Sequence, residues 1–203
     1  MFMQFNLKNK LPKESGFALL MTLIVVGVVI TIGISMLDLS TRQVRLSSNV
    51  KESEIAFSAA NAGNECSRFT RLSKTVQMES GYPITPNCFG GVLVSNTNSA
   101  APSFSGGGSA ELYSYSFTWG GAGNNERCTK IDTLVVVSDP QAAVATKVTN
   151  MDDMFPGYPA ELSGVLDCDI GSQCTIVSSR GYNKPCGSIS NYGVVEREVL
   201  IQY

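Results

Sequence analysis

The chain has 203 residues, with 15 Lys and Arg against 17 Asp and Glu, six Cys and no His. A net charge of −2 with no basic cluster in the C-terminal half leaves no footprint for nucleic acid. Without histidine neither a Ser-His-Asp nor a Cys-His centre can be built, and Gly106–Gly108 lacks the Lys and the strand–helix context of a phosphate-binding loop. No enzyme activity and no cofactor are expected.

The chain opens on a polar leader, residues 1–16, that carries Lys8, Lys10 and Lys13 against Glu14 and ends in Gly16. Phe17 starts an apolar run to Leu37, 21 residues without a charge. About 20 apolar residues suffice for a helix to cross a ~30 Å hydrocarbon core. Only Thr22, Thr31 and Ser35 are polar, and their hydroxyls can bond back onto a helix. The basic leader is expected to stay cytoplasmic, which leaves the rest of the chain outside. Three readings of the segment compete. A secretory signal peptide has a shorter apolar region, of roughly 7–15 residues, and a small-x-small site, which Gly33-Ile34-Ser35 matches poorly. A plain signal anchor keeps the whole segment. A leader cut between Gly16 and Phe17 leaves the apolar run on the mature chain, whose net charge falls to −4 because three Lys and one Glu are removed.

Residues 38–76 are expected to continue the helix, with Ile55, Ala59, Ala62, Cys66, Phe69 and Val76 recurring by threes and fours. One helix from Phe17 to about Val76 would be ~90 Å long at 1.5 Å per residue, a length that needs a membrane or a filament around its first half and a globular domain on its second. The Ala-rich stretch Glu54 to Cys66, with Gly63 inside it, offers small residues that let a sheet or another helix approach closely.

Beyond Gly81-Tyr-Pro-Ile-Thr-Pro86, residues 77–203 read as a β-rich domain. Residues 96–110, rich in Asn, Ser, Ala and Gly, read as an exposed loop. Leu112 to Trp119 alternates, with Tyr113, Tyr115, Phe117 and Trp119 on one face, which reads as a core face before a binding face. A turn over Gly120 to Asn125 leads to a strand over Cys128 to Ser138, and residues 142–149 suggest a third. Met151 to Leu166, interrupted by Pro156, Gly157, Pro159 and Gly164, reads as a surface insertion. Thr175 to Tyr182 reads as a strand running into a turn. The chain closes on a strand from Val194 to Tyr203, with Val195, Val199, Ile201 and Tyr203 on one face. The fold class is α+β: a long N-terminal helix packed on a C-terminal antiparallel sheet.

All six cysteines lie beyond the apolar run, on the side expected to be oxidising, and their even number reads as disulfides. The usual zinc spacings are absent. Six cysteines allow fifteen pairings. Cys168 and Cys174 bracket a short loop and suggest a local bridge; Cys66 with Cys88 and Cys128 with Cys186 are taken for the rest. Asp152-Asp153 and Asp167-x-Asp169 are acidic enough to consider for calcium, but neither supplies the shaped loop of six to eight oxygens that a hard cation wants; they read as solvated carboxylates, and no metal site is expected.

The basic leader, the Gly16–Phe17 junction, the uninterrupted apolar helix and its amphipathic continuation together resemble the type IV pilin and pseudopilin superfamily over roughly 17–76. The ending Ser-x-Gly-Tyr, Glu196-Arg197 and a last strand is similar to many minor pilins over 175–203. The resemblance implies a prepilin peptidase that cuts after Gly16, N-methylation of Phe17, and assembly of Phe17 onward into a filament core with other pilin subunits and the pilus assembly machinery, from a single-pass precursor held in the cytoplasmic membrane by lipid. It departs from the superfamily at Met21, where most pilins carry Glu as the fifth residue after the cut, and near Asp38, where a helix-bending Pro is common. In the superfamily, loss of that Glu is associated with minor subunits at filament tips. The alternative is a signal-anchored extracellular adhesin or receptor that does not polymerise.

Overall fold

The computed structural model describes residues 15–88, 91–92, 95–96, 102–120 and 126–203. The leader charges Lys8, Lys10, Lys13 and Glu14, residues 97–101 of the 96–110 loop and most of the 120–125 turn lie outside the described residues. The chain divides into two units, Met1–Asn49 and Val50–Tyr203, and helix α1, Ser15–Ser73, supplies residues to both.

In the first unit α1 is built from Ala, Leu, Ile and Val with no proline, and the hydroxyls that might compete with its backbone are turned onto it. Thr22 Oγ1 donates to Leu19 O at 2.8 Å, Thr31 Oγ1 to Val28 O at 2.8 Å and Ser35 Oγ to Thr31 O at 2.9 Å. The sequence predicts one helix to about Val76; instead α1 ends at Ser73 and a short α2, Thr75–Glu79, follows. Lys74 between them leaves helical geometry, at φ −123° and ψ 27°. Ser, Thr and Thr cluster at this point, with Ser73 Oγ bonded to Thr70 O at 3.3 Å and Thr75 Oγ1 to Arg71 O at 2.8 Å, and such back-bonding competes with a regular helix.

In the second unit the strands are β1 Asn87–Cys88, β2 Gly91–Val92, β3 Ser95–Asn96, β4 Phe104–Ser105, β5 Gly108–Trp119, β6 Arg127–Ser138, β7 Thr146–Val148, β8 Leu166–Cys168, β9 Gln173–Tyr182 and β10 Glu196–Gln202, with a one-turn helix α3, Met151–Met154, after β7. Among the described residues they form a five-stranded sheet in the order β10-β9-β6-β5-β3, a three-stranded sheet β4-β7-β8 and the pair β1-β2. Every pairing is antiparallel. The α+β class expected from the sequence is the fold observed. The five-stranded sheet is built on two 12-residue strands, β5 and β6, paired from Gly108↔Ser138 to Trp119↔Arg127.

Three expectations are corrected. Residues 96–110 contain β4, where Phe104 pairs with Val148, and the start of β5, although β4 remains exposed as a loop would be. The third strand, expected over 142–149, is only Thr146–Val148 and belongs to the smaller sheet. The largest correction concerns Met151 to Leu166. Its Pro and Gly residues do break it into short pieces, but Met151, Phe155, Tyr158 and Leu166 are buried. They pack with Val148 and Cys168 onto Ala110, Leu134, Val136 and Ile176. The sheet presents an apolar patch on that face, and the segment covers it.

The opposite face of the sheet receives the second half of α1. Tyr113, Tyr115, Phe117, Ile131 and Val177 are buried there, as are Ala56, Ala59, Ala60 and Cys66 of the helix. Tyr113 to Phe117 is therefore a core face, as the alternation predicts. Two strand hydroxyls reach helix carbonyls: Thr129 Oγ1 donates to Ala59 O at 3.0 Å, and Ser179 Oγ to Ala60 O at 2.7 Å. The approach is close enough that a Cβ on Gly181 would collide with the Ala56 carbonyl and the Ala60 nitrogen, and one on Gly63 with Ser179 and Thr129.

Candidate functional site: the N-terminal helix and its attachment

From Phe17 to Leu37 no side chain is buried. The large apolar residues of this run keep from 49% (Met21) to 71% (Phe17) of their surface exposed. Covering a side chain of Val, Leu or Ile size stabilises by about 1.5–3 kcal/mol, so a run of this length finds its stable state in lipid or against other apolar helices. Gly27 and Gly33 have nothing within 4 Å of where a side chain would begin, and they leave flat patches on the same surface. By length and composition the helix is able to cross a membrane, with a mean hydropathy of 2.8 in its most apolar window. Its polar groups make that tenable, because the three hydroxyls of the run are all satisfied internally and the first charge, Asp38, is paired with Arg42 at 3.1 Å one turn on.

Gly16 and Phe17 both lie within α1 and are exposed. Met21 stands one turn beyond Phe17 on the same helix and presents a thioether where a carboxylate would carry charge.

The second half of α1 is fastened to the sheet at three levels. At its beginning, Asn183 Nδ2 donates to Glu52 Oε2 at 2.9 Å and Arg197 Nε to Ser53 Oγ at 2.8 Å. In the middle lies the glycine contact of Gly63 and Gly181. At its end, Arg71 is buried with its Nη2 2.7 Å from Glu79 Oε1 and its Nε donating to Thr175 Oγ1 at 3.2 Å. Cys66 and Cys88 come together as a disulfide between α1 and β1; Cys128 bonds to Cys186 and Cys168 to Cys174. These are the three pairs put forward from the sequence. Tyr113 adds a further tie, donating to Met78 O at 2.9 Å. Burial, helped by the Glu111 charge, pushes its hydroxyl up to about 12. Burial does the same for Tyr115 and Tyr182, each to about 12.

The acidic pairs considered for calcium do not assemble. Asp167 is held by Lys147 at 2.8 Å, Asp152 lies against Gly164, and among the described residues no three acidic, Cys or His side chains gather as a metal would need. Sequence reading misses Gly181, Arg71 and Glu79 as fastening residues. Gly181 falls at the end of a strand and passes for a turn residue, although β9 runs through it to Tyr182. The pairing of Arg71 with Glu79 depends on the helix break at Lys74, for which the Ser and Thr hydroxyls of residues 70–75 are the local signal.

The arrangement is an uncovered apolar helix whose continuation packs on a disulfide-linked antiparallel sheet. Residues 15–65 match the family model PilX_N, described as PilX N-terminal, which is an N-terminal family of type IV pilus minor pilins. The match begins one residue before Gly16 and ends inside α1. No curated protein and no solved structure matches the chain. The match supports a role connected with type IV pili and points to a structural rather than a catalytic protein.

Proposed function

We propose that this chain is a minor subunit of a type IV pilus or a related pseudopilus, made as a single-pass membrane precursor, cut after Gly16 and assembled through Phe17 to Leu37. The observation that carries the reading is the uncovered apolar surface of α1 within the residues that match the minor-pilin family. A secretory signal peptide would be discarded, whereas here the helix continues past Leu37 without interruption into the residues that hold the sheet. Its role is mechanical. In the precursor the apolar run lies in lipid. On assembly it exchanges lipid for the like helices of neighbouring subunits, so apolar contact is retained throughout and little hydrophobic free energy is lost. The sheet unit faces outward and sets contacts with neighbours or with other surfaces.

Met21 bears on position in the filament. A carboxylate alone within the apolar run is costly, up to about 2.5–3.5 kcal/mol at the bilayer centre on insertion scales, and calls for a partner such as the terminal amine of a neighbour. A subunit with Met at this place neither incurs that cost nor offers that pairing. This supports a minor subunit placed at a filament tip.

N-terminal sequencing of the protein recovered from membranes and from sheared surface filaments tests the proposal. The expected result is a chain beginning at N-methylated Phe17 in both fractions, scarce in the filaments. A chain beginning at Met1 and confined to membranes overturns it in favour of the signal-anchored adhesin or receptor.

A further inference from the structure

The loop that joins β9 to β10, residues 183–195, is tied down from several sides. Asn183 is buried; it accepts from Val195 N at 2.8 Å and donates to Gly193 O at 3.2 Å and to Glu52 Oε2 at 2.9 Å. Lys184 Nζ donates to Tyr192 O at 2.7 Å, and the Lys184 carbonyl accepts from Cys128 N at 2.9 Å. The Cys128–Cys186 disulfide pins the loop again just beyond. Gly193 makes the return at φ 75°, in the left-handed region that favours glycine. These ties do not collapse the loop. They hold it around an open cavity of about 450 Å³, with Glu52 of α1 in the opposite wall, a volume inside the ~300–1,000 Å³ range of small-molecule sites.

The chemistry of the ligand follows from what the walls leave unused. The Ser188 hydroxyl, the Asn191 side-chain amide and the second carboxylate oxygen of Glu52 line the cavity and make no hydrogen bond to another described residue. Lys184 keeps two ammonium protons beyond the one given to Tyr192 O, and Arg127 adds a guanidinium to the wall. Walls that carry both signs oppose a ligand of either sign: a phosphate meets Glu52, and a cation meets Lys184 and Arg127. An apolar ligand would strip these groups of water and leave them unpaired. A neutral, hydroxyl-rich ligand suits all of them, because each O–H donates to a carboxylate or amide oxygen and accepts from an ammonium, guanidinium or amide N–H. Tyr192 supplies the apolar complement. It stands between Asn191 and Gly193, two residues of the wall, and its side chain is 100% exposed. Its backbone is held by Lys184, so a flat ring face is kept in solvent beside the cavity, free to receive the C–H face of a sugar ring.

We infer that this loop is a saccharide-binding site, which takes one neutral pyranose unit in the cavity with a face of the sugar ring against Tyr192. The inference does not depend on the minor-pilin reading: every residue in it belongs to the second unit, and an anchored domain that never polymerises would carry the same site.

The test uses the full-length protein in micelles of a detergent without a sugar headgroup, titrated with the methyl glycosides of glucose, galactose, mannose and N-acetylglucosamine. At least one of the four is expected to bind saturably at millimolar concentration, with amide shifts confined to Glu52, Arg127 and the 183–195 loop. Asn191→Ala and Tyr192→Ala should each weaken that glycoside about fivefold or more, the loss of one hydrogen bond or one ring contact. Neither side chain has a hydrogen bond to another described residue, so thermal unfolding of the sheet unit should be unchanged in both variants. Tyr192→Phe should bind like the parent, because the ring face and not the hydroxyl is used. Inorganic phosphate should not compete. No saturable binding by any of the four glycosides, binding that survives both alanine variants, loss of binding in Tyr192→Phe, or displacement by phosphate overturns the inference.

Discussion

The two halves of α1 are one continuous helix that meets two opposite demands. Residues 17–37 carry large apolar side chains and leave them uncovered, whereas residues 56–71 carry Ala, Gly, Ser and Thr and bury them against the sheet. Bulk therefore sits where the side chains are exposed, and the smallest residues sit where helix and sheet come closest. A helix that lies in lipid gains from large apolar side chains. A helix pressed onto β9 and β6 gains from bringing backbone against backbone, where Ser179 and Thr129 can reach the carbonyls of Ala60 and Ala59.

The comparison is most sharply broken at Gly181. Replacing it with Val drives two methyl groups into the backbone of Ala56 and Ala60. Such overpacking against rigid backbone is expected to cost about 3 kcal/mol or more, seen as loss of protease resistance in the sheet unit, while membrane insertion of the first half stays intact. The converse variant is Ile30→Arg, which should raise the insertion free energy by about 2.5–3.5 kcal/mol. Membrane extraction should then show a depleted membrane fraction, while the purified variant refolded under oxidising conditions should still form the disulfides of the sheet unit. Equal damage to both halves by either variant would break the proposed separation.

Smaller effects sharpen the picture of attachment. Replacing Cys66 and Cys88 with Ser frees α1 from β1 and should cost about 2–4 kcal/mol in thermal unfolding of the sheet unit. The same change at Cys168 and Cys174, which lie only six positions apart in sequence, should cost less. A last effect appears only at high pH. Tyr113, Tyr115 and Tyr182 are held neutral by burial up to about pH 12, against about 10 when unfolded. Because the unfolded chain gives up these protons first, stability is unaffected below pH 10 and falls as pH rises from 10 to 12. Ultraviolet titration should show these three ionising together with the onset of unfolding.

The sequence by itself determined the parts governed by composition and period. Twenty-one uncharged residues make an apolar helix in any setting, the alternation of Tyr113, Tyr115 and Phe117 marks a buried strand face, and the six cysteines lie where an oxidising compartment would pair them. Tertiary structure decided whatever depended on what lies opposite. Met151, Phe155 and Leu166 become core because the sheet's second face is apolar at that end, despite the prolines and glycines around them. Gly181 becomes a contact point rather than a turn because Ala56 and Ala60 lie against it. Arg71 is buried because the break at Lys74 carries Glu79 within reach. The place of β10 as the last strand of its sheet among the described residues, finally, follows from strand order: a strand's own residues do not tell it whether it will stand in the middle of a sheet or at its edge.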